Sequence, residues 1–290
     1  MSADPRALVT GGVAARPSAD ASTRPKVTGA DRPRIRAVAL PSEHGGWGLT
    51  LEPGLLGLLV APSVAGACLA VAAMVAFLAR TPLKLAIVDH RRGRSLPRTV
   101  LARRVAAGEL AVLTALVGTA LVLADAAFWI PAVVAAPLIL VEAWFDVRSR
   151  GRRLVPEVAG AVGICSVASM VVLADGRGAG LAAALWLVLA ARAVTSIPHV
   201  REQIARLHER PTVPTITALA DLAAVALAVA AVAVDRRLLA GAIAVGTLVV
   251  VQRLTALRPI PRAVVLGVRQ TLFGLAVVIA AAIGVLATAG

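Results

Sequence analysis

Long apolar stretches of 16 to 20 residues divide this chain, and short charged connections separate them. A helix needs roughly 20 mostly apolar residues to cross about 30 Å of hydrocarbon, and somewhat fewer when flanking side chains reach the interface. Within a bilayer the backbone has to satisfy its own hydrogen bonds, which favours helices. Because 59% of the residues are hydrophobic, the composition excludes an average soluble domain. The sequence predicts an all-α, polytopic membrane helix bundle.

About nine segments meet this criterion for a membrane span. Their predicted bounds are 47–62, 64–79, 105–124, 128–145, 156–174, 181–197, 215–234, 238–256 and 270–288. Pro62 and Ser63 lie at the junction of the first two segments, where both a tight helical hairpin and one long broken helix fit the pattern. Proline interrupts a helix, so Pro62 favours the hairpin.

Basic residues are concentrated in alternate connections, and this distribution predicts the orientation of the bundle. The connections after spans two, four, six and eight carry most of the arginines, whereas the intervening ones hold only Arg177, Arg236 and Arg237. The positive-inside rule then places the N-terminus in the cytoplasm and the C-terminus outside. The net charge of +14 does not indicate nucleic-acid binding, because the arginines lie in short loops and tyrosine is absent. Contact with anionic lipid explains that charge better.

Residues 1–40 differ from the rest in composition, being rich in Ala, Pro, Ser, Thr, Arg and Asp without apolar periodicity. We interpret them as a disordered cytoplasmic tail and residues 41–290 as the transmembrane helical domain. Cys68 and Cys165 both fall inside predicted spans, which argues against a disulfide framework or a zinc site.

A first polar cluster lies at the entrance of span one, in the segment PSEHGGWGLTLEP of residues 41–53. Glu52 lies deep enough in the span that it should face the protein interior, either protonated or paired. The neighbouring glycines allow a helix or a ligand to approach closely. Two interpretations stay open: a functional site containing His44 and Glu52, or an interfacial Trp47, a solvated His44 and a Glu52 that ties helices together.

The second cluster follows span two and contains Arg80, Lys84, Asp89 and Arg91. On a helix Arg80, Lys84 and Arg91 fall on one side, which would form a cationic ridge for phosphate oxygens. The alternative is that they are ordinary positive-inside charges. Asp89 alone makes a poor magnesium site, so no metal site and no cofactor is predicted, although magnesium is not excluded.

The third cluster lies at the end of span six, where Arg192, Ser196 and His199 share one helical face and Arg201 follows. An arginine buried by a turn or more needs a partner, and Glu52 and Glu142 are the available acids. The alternative is that the Arg192 side chain extends to the lipid headgroups.

Two of these segments resemble signatures of the YwiC-like family of bacterial integral membrane proteins. The entrance segment 41–53 is similar to the family's His-Gly-small-Trp element with its following acid, and ARAVTSIPHVREQIARL, residues 191–207, resembles its second signature. More distantly, the nine spans and the polar connections resemble UbiA-type intramembrane prenyltransferases. Those enzymes hold magnesium and a prenyl diphosphate with Asp-rich motifs after spans two and six. This chain has Asp89 alone there, and Glu202 with Glu209, which argues against magnesium-dependent transfer.

We therefore predict a YwiC-like, UbiA-like protein of the bacterial cytoplasmic (inner) membrane that binds, and in one version transfers, an isoprenoid or other lipid-linked phosphate. Such an enzyme would be a prenyltransferase-like transferase without the Asp-rich motifs. A small-solute transporter and a noncatalytic membrane scaffold stay open as alternatives. The predicted catalytic residues are His44 and His199. The predicted ligand-binding residues are Glu52, Lys84, Asp89, Arg192, Ser196 and Arg201. The predicted partners are membrane lipid and this ligand, and no sequence signal indicates an oligomeric state.

Overall fold

The computed structural model describes residues 38–39, 44–148 and 153–288, and the side chains of residues 44 and 45 are outside this description. The predicted tail of residues 1–40 therefore lies outside the described residues, apart from residues 38 and 39. The described part of the chain contains helices and connecting turns, and these form the predicted all-α bundle.

Ten α-helices make up the described part of the bundle. They are α1 His44–Val60, α2 Val64–Arg91, α3 Pro97–Leu123, α4 Trp129–Val147, α5 Leu154–Ile164, α6 Ser166–Ala174, α7 Ala179–Leu207, α8 Pro214–Val234, α9 Leu239–Ala256 and α10 Ala263–Leu286. Helices α5 and α6 adjoin at Cys165 and together form one span, and a 3-10 turn precedes α9. Eight described segments are long and apolar enough to cross a membrane, and α1 is a shorter apolar helix. The chain is a multi-pass membrane protein.

Helices α1 and α2 form the predicted hairpin rather than one broken helix. α1 ends at Val60, and the Ser63 hydroxyl caps α2 by accepting a hydrogen bond from the Gly66 amide at 3.0 Å. Gly54 packs so closely against Ala70 that a Cβ on Gly54 would lie 2.9 Å from the Ala70 Cβ. The small residue at position 54 thus allows the two backbones to approach each other.

Several helices extend beyond the predicted spans, and this corrects the predicted boundaries. The polar segment after span two is mostly helical, because α2 continues to Arg91 and α3 already begins at Pro97. α7 likewise continues to Leu207. The apolar criterion stops at the first charges, whereas a helix continues wherever its charged side chains find partners. Arg80 and Lys84 on α2 find such a partner in Asp146 at the end of α4.

We call the end of the bundle at which α2, α4, α7 and α9 terminate the basic end. Polar contacts hold these termini together: Arg80 contacts Asp146, Arg201 on α7 contacts Glu157 at the start of α5, and Arg206 donates to the Ala256 carbonyl. The other end carries the loop between α8 and α9.

In that loop the Asp235 carboxylate accepts hydrogen bonds from the backbone N–H of Arg237 and from its guanidinium. The Arg237 hydrogen bond holds the pKa of Asp235 below its ordinary value.

Helix α7 lies at the centre of the bundle. Of its most apolar 18-residue window, 72% is buried, compared with 11% for α3 and 28% for α8. Leu185, Val188 and Leu189 on α7 belong to the main apolar core, which also includes residues of α1, α5, α6, α8, α9 and α10. α3 packs mainly against α2 and exposes apolar side chains such as Leu121 and Val122, as expected for a lipid-facing helix.

Candidate functional site

A stripe of buried polar residues runs along the central helix α7. Arg192, Ser196, His199 and Gln203 follow one another at offsets of four, seven and eleven, so they share one face. Each of these four residues is at most 3% exposed. A polar residue within a membrane-spanning bundle is costly unless it finds partners, which makes this stripe the leading site candidate.

Glu52 on α1 and Arg192 on α7 form a buried ion pair. Arg192 Nη2 lies 2.8 Å from Glu52 Oε1, and both side chains are nearly inaccessible. The same nitrogen donates to the Gln270 carbonyl on α10 at 2.9 Å. Glu52 therefore faces the bundle interior with a cationic partner, as predicted, and Arg192 is not a residue that extends to the headgroups.

A glycine on α10 makes room for this pair. A Cβ on Gly274 would overlap the Glu52 carboxyl group and would lie 2.6 Å from Arg192 Nη2. On the α1 side, Gly48 lies beside Glu52 and Thr271. The backbones of α1 and α10 thus approach the ion pair closely because these positions lack side chains.

Gln252 on α9 connects the ion pair to further polar groups on α7. Its Nε2 donates to Ser196 Oγ at 3.1 Å and to Gln270 Oε1 at 3.4 Å, and its Oε1 lies 3.1 Å from the Thr195 hydroxyl. The Thr195 hydroxyl also donates to Asp221 Oδ1 on α8 at 2.5 Å. Helices α1, α7, α8, α9 and α10 are thereby joined by one polar network.

The network ends at a second ion pair. Asp221 Oδ2 on α8 accepts a hydrogen bond from Arg253 Nε at 2.6 Å. Nearby, Glu202 on α7 accepts a hydrogen bond of 2.5 Å from the Thr217 hydroxyl on α8. Each of these carboxylates therefore already has a donor.

Several buried nitrogen atoms of this region have no hydrogen-bond partner among the described residues. They are Arg192 Nε, His199 Nε2, Gln203 Nε2, Arg269 Nε and Gln270 Nε2. Arg269 Nε lies in a guanidinium that is 5.9 Å from the Phe273 ring. Since most buried polar atoms in folded proteins are paired, this concentration on α7 and the start of α10 indicates a place for a hydrogen-bond acceptor.

The chain matches the family described as YwiC-like protein over residues 40–172. This match to the YwiC-like family covers less than half of the 290 residues. The match runs from α1 into α6 and includes Glu52, whereas Arg192 and the remainder of the network lie beyond it. No curated protein and no solved structure matches the chain.

In the structure the predicted site residues fall into separate groups. Glu52, Arg192 and Ser196 belong to the polar network, and His199 lies on the same face of α7. Charged groups that face His199 are Arg269, Asp221, Glu202 and Arg253. His44 is the first residue of α1, but its side chain lies outside the described residues.

The other predicted ligand-binding residues have partners on other helices. Lys84 donates to Asp146 Oδ1 at 2.9 Å, Asp89 accepts from the Thr99 hydroxyl at 2.6 Å, and Arg201 contacts Glu157 at 2.7 Å. Glu142, the second acid considered for Arg192, pairs with Arg80 at 2.7 Å. Lys84 and Asp89 thus pair with Asp146 and Thr99, which lie outside the polar network.

Five members of the network were not predicted from the sequence. They are Thr195, Asp221, Gln252, Arg253 and Gln270. The signal was present, since Asp221 and Gln252 lie within apolar spans, where polar residues are rare. Within the described residues, no group of three or more His, Cys, Asp or Glu side chains forms a metal-binding arrangement.

Proposed function

We propose that the polar network binds the anionic head of an isoprenoid or other lipid-linked phosphate, with Arg192 as the central contact. The proposal rests mainly on the burial and the partners of Arg192. Its guanidinium is buried in the bundle, has one carboxylate partner, and keeps an Nε without a partner among the described residues. We place the basic end and the N-terminus in the cytoplasm, in a bacterial inner membrane, on the arginine distribution.

The balance of donors and acceptors supports an anion rather than a cation. The unpartnered atoms of the described site are all nitrogens, and arginine nitrogens can only donate. The nearby carboxylates of Glu52, Asp221 and Glu202 already accept hydrogen bonds from protein groups. Phosphate and carboxylate oxygens match this donor set, and arginine binds both with favourable geometry.

The depth of the site supports an amphiphilic ligand. Arg192 lies five residues before residue 197, where the predicted span six ends, which corresponds to about 7.5 Å along the helix axis. A head group at Arg192 would therefore lie inside the hydrocarbon core, whose full thickness is about 30 Å. A lipid-linked phosphate brings an apolar tail that is at home at this depth, whereas a free anion would have to leave water completely.

For a transfer reaction, His199 is the proton carrier that we propose, with His44 as the second candidate. Histidine is the side chain that titrates nearest neutral pH. Nε2 of His199 has no partner in the described structure and lies on the same face of α7 as Arg192. The proposal requires no metal, because the Arg192 guanidinium supplies the positive charge.

Binding of farnesyl diphosphate to the purified protein in detergent micelles tests this proposal. We expect binding both with magnesium and with a chelator. Arg192→Ala should weaken binding by about tenfold or more, since a hydrogen bond to a charged group contributes about 1.5–3 kcal/mol. Arg177→Ala is the matched control, because Arg177 is an exposed arginine that pairs with Asp175.

The outcomes separate the interpretations. Strict dependence on magnesium would refute the replacement of metal by arginine. Absence of binding under all conditions would refute the proposed ligand class and favour a small-solute transporter or a noncatalytic scaffold.

A further inference from the structure

The charge of the Glu52–Arg192 pair limits how an anion can bind there. The pair is neutral as it stands, because one carboxylate already compensates one guanidinium. A second anion at Arg192 would place two negative charges on one positive charge. Where little water is present, like charges repel strongly and an uncompensated charge is poorly tolerated.

We infer that an anionic ligand binds at Arg192 together with one proton, and that Glu52 takes up this proton. The inference rests on the proposed function and specifies how that site is regulated. The Glu52 carboxylate takes up one proton, which the buffered solution supplies, and becomes a carboxylic acid. The ligand anion then replaces it as the counter-charge of Arg192. The neutral acid can then donate its new O–H to an oxygen of the ligand.

The surroundings of Glu52 leave few other groups that could compensate the charge. From α7 the charged group that faces it is Arg192, and at the junction of α5 and α6 it is near the Cys165 thiol, which donates to the Ala161 carbonyl. From α10 it meets Gly274, and the Gln270 carbonyl binds the same Arg192 nitrogen.

The remaining neighbours of α1 are apolar where the structure describes them. α2 packs Phe77 against Gly46 and Ala70 against Gly54, and α6 packs Val171 against Gly57. In the described surroundings, Arg192 is therefore the positive group next to Glu52, and the Glu52 carboxylate is the group that must change its charge when the ligand arrives.

His199 offers the alternative proton acceptor. It lies two helical turns from Arg192 on α7 and faces Asp221 and Glu202 on the acidic side, and Arg253 and Arg269 on the basic side. Uptake of a proton by His199 would add a positive charge instead of removing a negative one. The two assignments give the same proton count and are distinguished by substitution.

The experiment uses dodecyl methyl phosphate, a diester whose single negative charge stays constant, unlike a phosphate monoester, which titrates near pH 6. Calorimetric titrations of the full-length protein in two buffers of different ionisation enthalpy count the protons taken up. For wild type we expect one proton per ligand over a pH range in which affinity falls about tenfold per pH unit. Glu52→Gln should bind without proton uptake and with little pH dependence. Glu142→Gln, an acid paired with Arg80 outside the site, should behave like wild type.

The possible results distinguish proton uptake by Glu52 from the alternatives. Wild-type binding without proton uptake would overturn the inference and leave the proposed function intact. This measurement uses only the wild-type protein, so it does not depend on the folding of a variant. Proton uptake that persists in Glu52→Gln and disappears in His199→Gln would also overturn the assignment to Glu52. Absence of wild-type binding across the pH range would overturn both the inference and the proposed function.

Discussion

Gly274 lies so close to the buried ion pair that adding a side chain at this position should reduce the free energy of unfolding. An added Cβ at this position would overlap the Glu52 carboxyl group and crowd Arg192 Nη2 at 2.6 Å. Gly274→Ala should therefore push Glu52 and Arg192 apart. Breaking a buried pair costs about 3–5 kcal/mol. The higher helix propensity of alanine relative to glycine offsets this cost by about 0.5–1 kcal/mol. The expected net loss in the free energy of unfolding is about 2–4.5 kcal/mol.

Gly267 on the same helix is the matched control. A Cβ there meets no heavy atom of the described residues within 4 Å. Gly267→Ala should thus keep or raise stability, by up to about 1 kcal/mol. The assay is reversible unfolding of both variants and wild type in mixed detergent micelles. Equal stabilities of Gly274→Ala and Gly267→Ala would refute the idea that the glycine makes room for the pair.

A double variant locates the cause of the loss. Because Glu52→Ala removes the group that the new methyl would strike, Gly274→Ala should cost much less in the Glu52→Ala background than in wild type. Such coupling between residues in contact amounts to about 0.5–3 kcal/mol. Additive effects of the two substitutions would show that Gly274 acts through another contact.

Two further predictions concern the ends of the bundle. Reporter fusions should report the outside after Asp125, Asp175 and Asp235 and the cytoplasm near Arg94 and Arg206, and a reversed pattern would overturn the proposed orientation. The depressed pKa of Asp235 means that its contribution to stability is present at neutral pH and is lost as the pH falls through its folded-state value. Asp235→Asn should reduce the acid sensitivity of amide-exchange protection in the 3-10 turn, and an unchanged pH profile would contradict this role.

The helical membrane bundle could be predicted because apolar length and backbone hydrogen bonding leave few alternatives in a bilayer. The ends of the helices could not be predicted so well. α2 continues from Ala79 to Arg91 through charged residues, since Arg80 and Lys84 reach Asp146 on α4. Hydropathy indicates where the apolar part of a helix ends. The ion pairs of Arg80 and Lys84 allow α2 to continue beyond that point.

The Glu52–Arg192 pair was predictable because a buried acid and a buried base in separate spans each need a partner. The remainder of the network was not predictable from the sequence. Gln252 and Gln270 are uncharged, and only the packing of α7, α9 and α10 brings their side chains together. For the same reason the pairing of Lys84, a predicted ligand-binding residue, with Asp146 was not evident from the sequence.

We propose that Arg192 holds the phosphate of a lipid inside the bundle. Native mass spectrometry of the protein purified from its membrane tests this role directly, with Arg192→Ala and the control Arg177→Ala measured in parallel. We expect one polyprenyl or other lipid-linked phosphate per chain in wild type and in Arg177→Ala, and its loss from Arg192→Ala. Equal lipid content in all three proteins would refute this role of Arg192.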